Sequence, residues 1–100
     1  MIRKDYKMVM LTYNHALDDE LLELLEQCGV EGYTRLEGAT GTGKSGPHEG
    51  TNIWPVTNNI VFTAVTAAQL KLLRSGGKAL AARFPGEGMR GFLFNLEEVW

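Results

Sequence analysis

Residues 38–55 read Gly38-Ala39-Thr40-Gly41-Thr42-Gly43-Lys44-Ser45-Gly46-Pro47-His48-Glu49-Gly50-Thr51-Asn52-Ile53-Trp54-Pro55. The first eight satisfy G-x-x-x-x-G-K-[ST], the pattern of a phosphate-binding P-loop. That chemistry needs a strand leading in and a helix beginning at the Lys-Ser pair, so that helical N–H groups and the helix dipole face the phosphates. Tyr33-Thr34-Arg35-Leu36 supplies a β-prone lead-in, but no helix can follow. Gly46 and Pro47 come directly after Ser45; proline drives the residue before it out of the α region, and glycine weakens any helix around it. The stretch therefore reads as a long Gly-rich loop, 38–57, set between two strands. Loops of that length are usually functional or disordered, and this one is expected to order around what it binds.

Working upstream, Tyr6 to Tyr13 is a compact apolar run, consistent with a strand covered on both faces and placed centrally in a sheet. After Asn14-His15-Ala16 the apolar residues Leu17, Leu21, Leu24, Leu25 and Cys28 recur at helical spacing. Asp18, Asp19 and Glu20 suit the positive end of that helix, and Gly29-Val30 forms a Schellman stop. A second strand covers about 32–38. Downstream, residues 59–65 form a third strand, apolar along most of its length. Thr66 and Gln69 make a capping box for a second helix running to about Phe84. Its stripe is Leu70, Leu73, Gly77, Leu80 and Phe84, and Gly77 on that stripe predicts a close approach to the sheet. Lys71, Arg74 and Lys78 fall on the opposite, solvated side. A second Gly-rich turn, 85–91, precedes a fourth strand, Phe92 to Leu96. The exposed-looking Trp100 is expected to dock on the protein or on a neighbouring subunit.

One hundred residues suffice for one core and one domain, 1–100, and fall short of the larger parallel sheet of a P-loop NTPase. No apolar run reaches the roughly twenty residues that span a bilayer, and Met1-Ile2-Arg3-Lys4-Asp5-Tyr6 lacks a signal-peptide core, which points to the cytoplasm. Residues 1–50 hold five Lys/Arg against nine Asp/Glu and residues 51–100 five against three, a net of −4 and +2, summing to −2. That balance offers no basic footprint for nucleic acid. Cys28, the single cysteine, reads as a small buried hydrophobe on the first helix.

The element order is thus β-α-β-β-α-β, the α+β ferredoxin-like sandwich: a four-stranded antiparallel sheet, two helices on one face and a long loop between the second and third strands. With that loop at 38–57, and with Gly86-Glu87-Gly88-Met89-Arg90-Gly91 leading into Phe92-Leu93-Phe94, nearly the whole chain resembles the PII-like nitrogen-regulatory signal proteins. In that resemblance the long insertion sits where the family carries its T-loop, and the 86–91 turn looks like its B-loop. The resemblance implies a cytoplasmic homotrimer with nucleotide-sized clefts between subunits, an adenine nucleotide or similar small anion as ligand, and a protein partner such as a transporter or metabolic enzyme. No Tyr lies between 38 and 57, so the family's tyrosine modification has no acceptor in this loop.

The expected ligand contacts are Gly38, Gly41, Gly43, Lys44, Gly86, Glu87, Gly88 and Arg90. Glycine N–H groups form anion-binding nests, Lys44 adds a point charge, and Arg90 can grip a phosphate or carboxylate through two nitrogens. The alternative is a divalent-metal site, as in the structurally similar CutA proteins, drawing on His48, Glu49 and His15 with Cys28 as a distant fourth. Ser45 and His48 would make a nucleophile and base only if held within about 0.5 Å, which a loop of glycines does not do, so a binding protein without catalytic residues or cofactor is expected.

Overall fold

The computed structural model describes residues 6–43, 46–48 and 57–100. In chain order the elements are β1 (Lys7–Asn14), a 3-10 turn (His15–Leu17), α1 (Asp18–Gln27), β2 (Thr34–Ala39), β3 (Gly41–Gly43), β4 (Gly46–His48), β5 (Asn58–Val65), α2 (Ala67–Arg83) and β6 (Met89–Asn95). The four long strands form one antiparallel sheet in the order β2-β5-β1-β6. This is the ferredoxin-like arrangement, with the two most apolar strands in the middle as expected.

Local sequence explains the helix ends. At the end of α1 the Val30 N–H donates to the Leu25 carbonyl and the Gly29 N–H to the Glu26 carbonyl, both at 3.0 Å. Gly29 takes φ +79°, so the Schellman stop is the one its glycine allows. At the start of α2 the Gln69 N–H donates to Thr66 Oγ1 at 3.2 Å and the Thr66 N–H to Gln69 Oε1 at 3.0 Å, completing the capping box.

Alternation along the central strands divides the sheet into two faces. Val9, Leu11, Tyr13, Val61 and Val65 point at the helices and bury against Leu21, Leu24 and Leu25 of α1 and Leu73 and Leu80 of α2. Cys28 is buried among them. The opposite face carries Met8, Met10, Ile60 and Phe62, joined in register by Leu36, Phe92 and Phe94. Among the described residues no helix covers it, and Leu36, Phe92 and Phe94 stay about half exposed.

Three details differ from expectation. Within 38–57 the chain forms a small antiparallel ribbon, Gly41 opposite His48, Thr42 opposite Pro47 and Gly43 opposite Gly46. Residues 46–48 are extended, in keeping with the expectation that no helix follows Ser45. The fourth strand starts at Met89, not Phe92, because pairing with β1 continues through Thr12–Arg90 and Tyr13–Met89; Arg90 and Gly91 belong to the strand. The close approach falls at Gly76 rather than Gly77: a Cβ at Gly76 would overlap the Leu24 Cδ1 methyl, so α1 and α2 meet there. Trp100 is fully exposed on this chain, which leaves docking on a neighbour as the open half of that expectation.

Candidate functional site: two glycine turns at one end of the sheet

The site is built outward from Asp18, the first residue of α1. Tyr13 is completely buried, and its hydroxyl donates to Asp18 Oδ1 at 2.7 Å. Asn59 Nδ2 donates to the same oxygen at 2.9 Å. Arg35 closes a fork, Nε to Oδ1 at 2.9 Å and Nη2 to Oδ2 at 2.7 Å, and Nη2 also reaches the Glu37 carboxylate. Two-point pairing of this kind is the strong form of an ion pair. The Arg35 bonds hold the Asp18 carboxyl at about 2, with those from Tyr13 and Asn59 adding to the effect. Burial, then the bond to Asp18, pushes the Tyr13 hydroxyl well above its ordinary value. The bonds to Asp18 and Glu37 secure Arg35 in its charged form.

This lock pins the start of α1 to β2 and β5 and fixes the base of the long loop. Beside it lies a depression of about 430 Å³ lined by His15, Arg35, Glu37, Gly38 and Thr57, among others. Gly38 takes φ +72°, a conformation that disfavours a side chain, and it sits where β2 gains an extra residue against β5: Leu36 pairs with Ile60 but Ala39 with Asn58. That bulge turns the strand out of the sheet and into the ribbon. Because Arg35 already faces two carboxylates, an anion at the loop base has to be met by other groups.

The second glycine turn reaches the same end of the sheet. The Asn14 N–H donates to the Gly88 carbonyl at 3.1 Å, and the next N–H, of His15, donates to the Thr57 carbonyl at 3.0 Å. Two successive amides at the end of β1 thus hold the 86–88 turn on one side and the loop exit on the other. Gly38 and Arg90 lie on opposite edge strands, three strand spacings of roughly 4.8 Å apart, or about 14 Å. The single chain therefore gathers the two turns at one end without closing them on one small anion. Arg90 is exposed and makes no ion pair or hydrogen bond among the described residues. A Cβ at Gly41, Gly86 or Gly88 would meet nothing within 4 Å, and none of the three has positive φ. Among the described residues, neither packing nor backbone strain requires glycine at these positions.

Lys44 and Glu49 lie outside the described residues. Gly43 and His48 are placed by backbone in the ribbon. His15 is exposed in the 3-10 turn, and Cys28 is buried in the core. Among the described residues no group of three His, Cys, Asp or Glu could hold a metal ion. No sequence motif announces Tyr13, Asp18, Arg35 and Asn59 as a unit. A signal was present in Asn59 and Thr63, polar residues at inward positions of an otherwise apolar strand; Thr63 Oγ1 donates to the Gly32 carbonyl at 2.7 Å.

No protein-family model matches the sequence, and neither does any curated protein. Solved structures do. CPII from Thiomonas intermedia K12, a nitrogen regulatory PII-like protein bound to ADP, AMP and bicarbonate, superposes with a TM-score of 0.70 at 20% identity over 91% of each chain. A putative PII-like signaling protein from Thermus thermophilus gives 0.64 at 21% identity, over 91% of this chain and 86% of that one. A functionally unknown protein from Pediococcus pentosaceus gives 0.56 at 10% identity over 97% of both. With β2-β5-β1-β6 order, two helices on one face and an excursion between β2 and β5, this chain has the fold of the PII-like signal proteins.

Proposed function

We propose that the protein is a PII-like sensor, one domain spanning residues 1–100, that binds a small anion, an adenine nucleotide in the first instance, in clefts between subunits of a homotrimer. It then regulates a protein partner, such as a transporter or metabolic enzyme, through the ribbon and loop at 38–57. In this reading it is a cytoplasmic regulator and not an enzyme. The observation that carries the reading is the pair of glycine turns at one end of the sheet, each half a site and each left open. A neighbouring subunit supplies the missing half: Gly38, Gly41, Gly43 and Lys44 of one face Gly86, Glu87, Gly88 and Arg90 of another. The fold shared with CPII, whose structure holds ADP and AMP, favours a nucleotide as the anion. The uncovered apolar sheet face supports self-association, since monomers rarely leave so contiguous a patch in water. Among the described residues no helix is long and apolar enough to cross a membrane, so a transporter would be met as a partner.

Calorimetric titration with ATP, ADP, AMP and bicarbonate, beside light scattering for the trimer, tests this reading. Arg90→Ala is expected to weaken the best ligand by about 1.5–3 kcal/mol, roughly ten- to a hundredfold, with the trimer intact. Lys44→Ala costs less if that lysine acts as a point charge on an exposed loop. A monomer at micromolar concentration, or an Arg90→Ala protein that binds like the parent, would remove the inter-subunit site.

A further inference from the structure

A second concavity lies on the helix side of the sheet, between α2 and the edge strand β6, and shares no residue with the loop base. Its volume is about 290 Å³. Protein interiors are close-packed, with few voids larger than a water molecule, so an opening of this size is a feature with a cause. Two glycines provide it. Gly77 lines it from α2, where an added Cβ would come no nearer than 4.0 Å to Met89 Cε. Gly91 lines it from β6, opposite Leu11. Leu11 and Leu73 help form the floor, and Leu93, on the helix side of β6, is still 44% exposed beside it.

The lining is apolar and carries no carboxylate among the described residues. Arg74 and Lys78 border it, one helical turn apart on α2, both exposed. Neither makes an ion pair or hydrogen bond among the described residues. Arg90 touches the cavity from β6, but its register opposite Thr12 assigns its side chain to the other face of the sheet. Arg74 follows Leu70 by four residues and Lys78 follows Arg74 by four, so both stand on the flank of the apolar stripe that lines the cavity, not on the far side expected from the sequence. Between them Gly77 offers no side chain to close the gap to β6.

An apolar slot with two unpaired cations at its edge is complementary to one class of small molecule. We propose that this cavity binds a carboxylate with an apolar tail, a medium-chain fatty acid in chemical class, the tail between α2 and β6 and the head group on Arg74 and Lys78. The size agrees: an apolar cavity of about 150 Å³ is known to take up benzene, and this one is roughly twice that, enough for a tail of about ten carbons. A phosphate without a tail leaves the slot empty, and an alcohol leaves the cations unused.

Calorimetric titration with decanoate, kept below its self-association concentration, decides the matter, with hexanoate and decanol as companions. Saturable decanoate binding is expected, with hexanoate and decanol each weaker by about tenfold or more, because each methylene and the charged head group contribute separately. Gly77→Leu fills the slot and abolishes binding, and Ala81→Leu fills it from the next turn should the first variant fold poorly. The double variant Arg74→Gln, Lys78→Gln loses about tenfold and no longer distinguishes decanoate from decanol. Absence of decanoate binding, undiminished binding by both filled variants, or equal binding of decanol to the parent would overturn the proposal. ADP titrated into the same proteins reports on the nucleotide reading alone, since none of the substituted residues belongs to that site.

Discussion

Asp18→Ala combined with Tyr13→Phe tests whether the loop base is one cooperative unit. On its own, Tyr13→Phe removes one hydroxyl that donates to a carboxylate and leaves Asp18 with Arg35 and Asn59, a cost of about 1.5 kcal/mol. Asp18→Ala is worse. It strands the Tyr13 hydroxyl in the core without an acceptor, strands the Asn59 amide, which is 3% exposed, and releases Arg35, for a total of about 3 kcal/mol. Once Asp18 is gone the hydroxyl is a liability, so adding Tyr13→Phe is expected to be neutral or to restore up to about 1 kcal/mol. The change of sign gives a coupling of about 2 kcal/mol between residues five apart in sequence. Acid titration supplies a second axis. Asp18 titrates at about 2 when folded against an ordinary value of 3.8, so its contribution is complete above pH about 4 and is lost as pH falls toward 2. A depression of that size amounts to about 2 kcal/mol at most, and solvent in the adjoining depression lowers it toward 1. Urea unfolding followed by far-ultraviolet circular dichroism at pH 7, 4 and 2.5 measures all of this. If Tyr13→Phe costs the same with and without Asp18, or if Asp18→Ala loses as much stability between pH 4 and 2.5 as the parent, the network does not act as described.

The two adjacent glycines of α2 should respond in opposite directions. Gly77→Ala gains helix propensity with room for the methyl and is expected to stabilise by about 0.5–1 kcal/mol, whereas Gly76→Ala forces Leu24 aside and is expected to destabilise by about 1 kcal/mol, both by thermal unfolding. Thr66→Ala removes the acceptor that caps the Gln69 N–H and should cost about 1 kcal/mol in the same assay, with Thr66→Ser retaining most of the stability.

What the sequence disclosed was what is decided locally. The Thr66–Gln69 box and the Gly29–Val30 stop involve residues at most five apart, and both were readable from the chain. So were the central places of β1 and β5, because a strand buried on one face and half-buried on the other is apolar at nearly every position. Features that depend on a distant partner were misread or missed. The start of β6 at Met89 follows from pairing with Tyr13, which no local pattern in a Gly-rich turn announces. Gly76 faces α1 and Gly77 faces the gap beside β6, and a single helical stripe cannot represent two neighbours at once. Among three consecutive acids, nothing local marks Asp18 as the one that Arg35 and Asn59 would reach. The ribbon was hidden because its strands are three residues each and rich in glycine and proline, against every strand propensity.

The extra residue at the end of β2 has a further consequence for how such a chain can change over generations. Its departure angle is fixed by the bulge around Gly38 and by the Asp18–Arg35 clasp, not by anything farther along the ribbon. The return is fixed by the amide of His15 holding Thr57. With both ends anchored in the sheet, lengthening the excursion costs little, since doubling a flexible loop adds only about 0.6 kcal/mol of closure entropy. Insertions and wholesale replacement of sequence between those anchors can then be sampled while the core stays the same. Recognition of a new partner can diverge there under its own selection, separately from the scaffold that presents it.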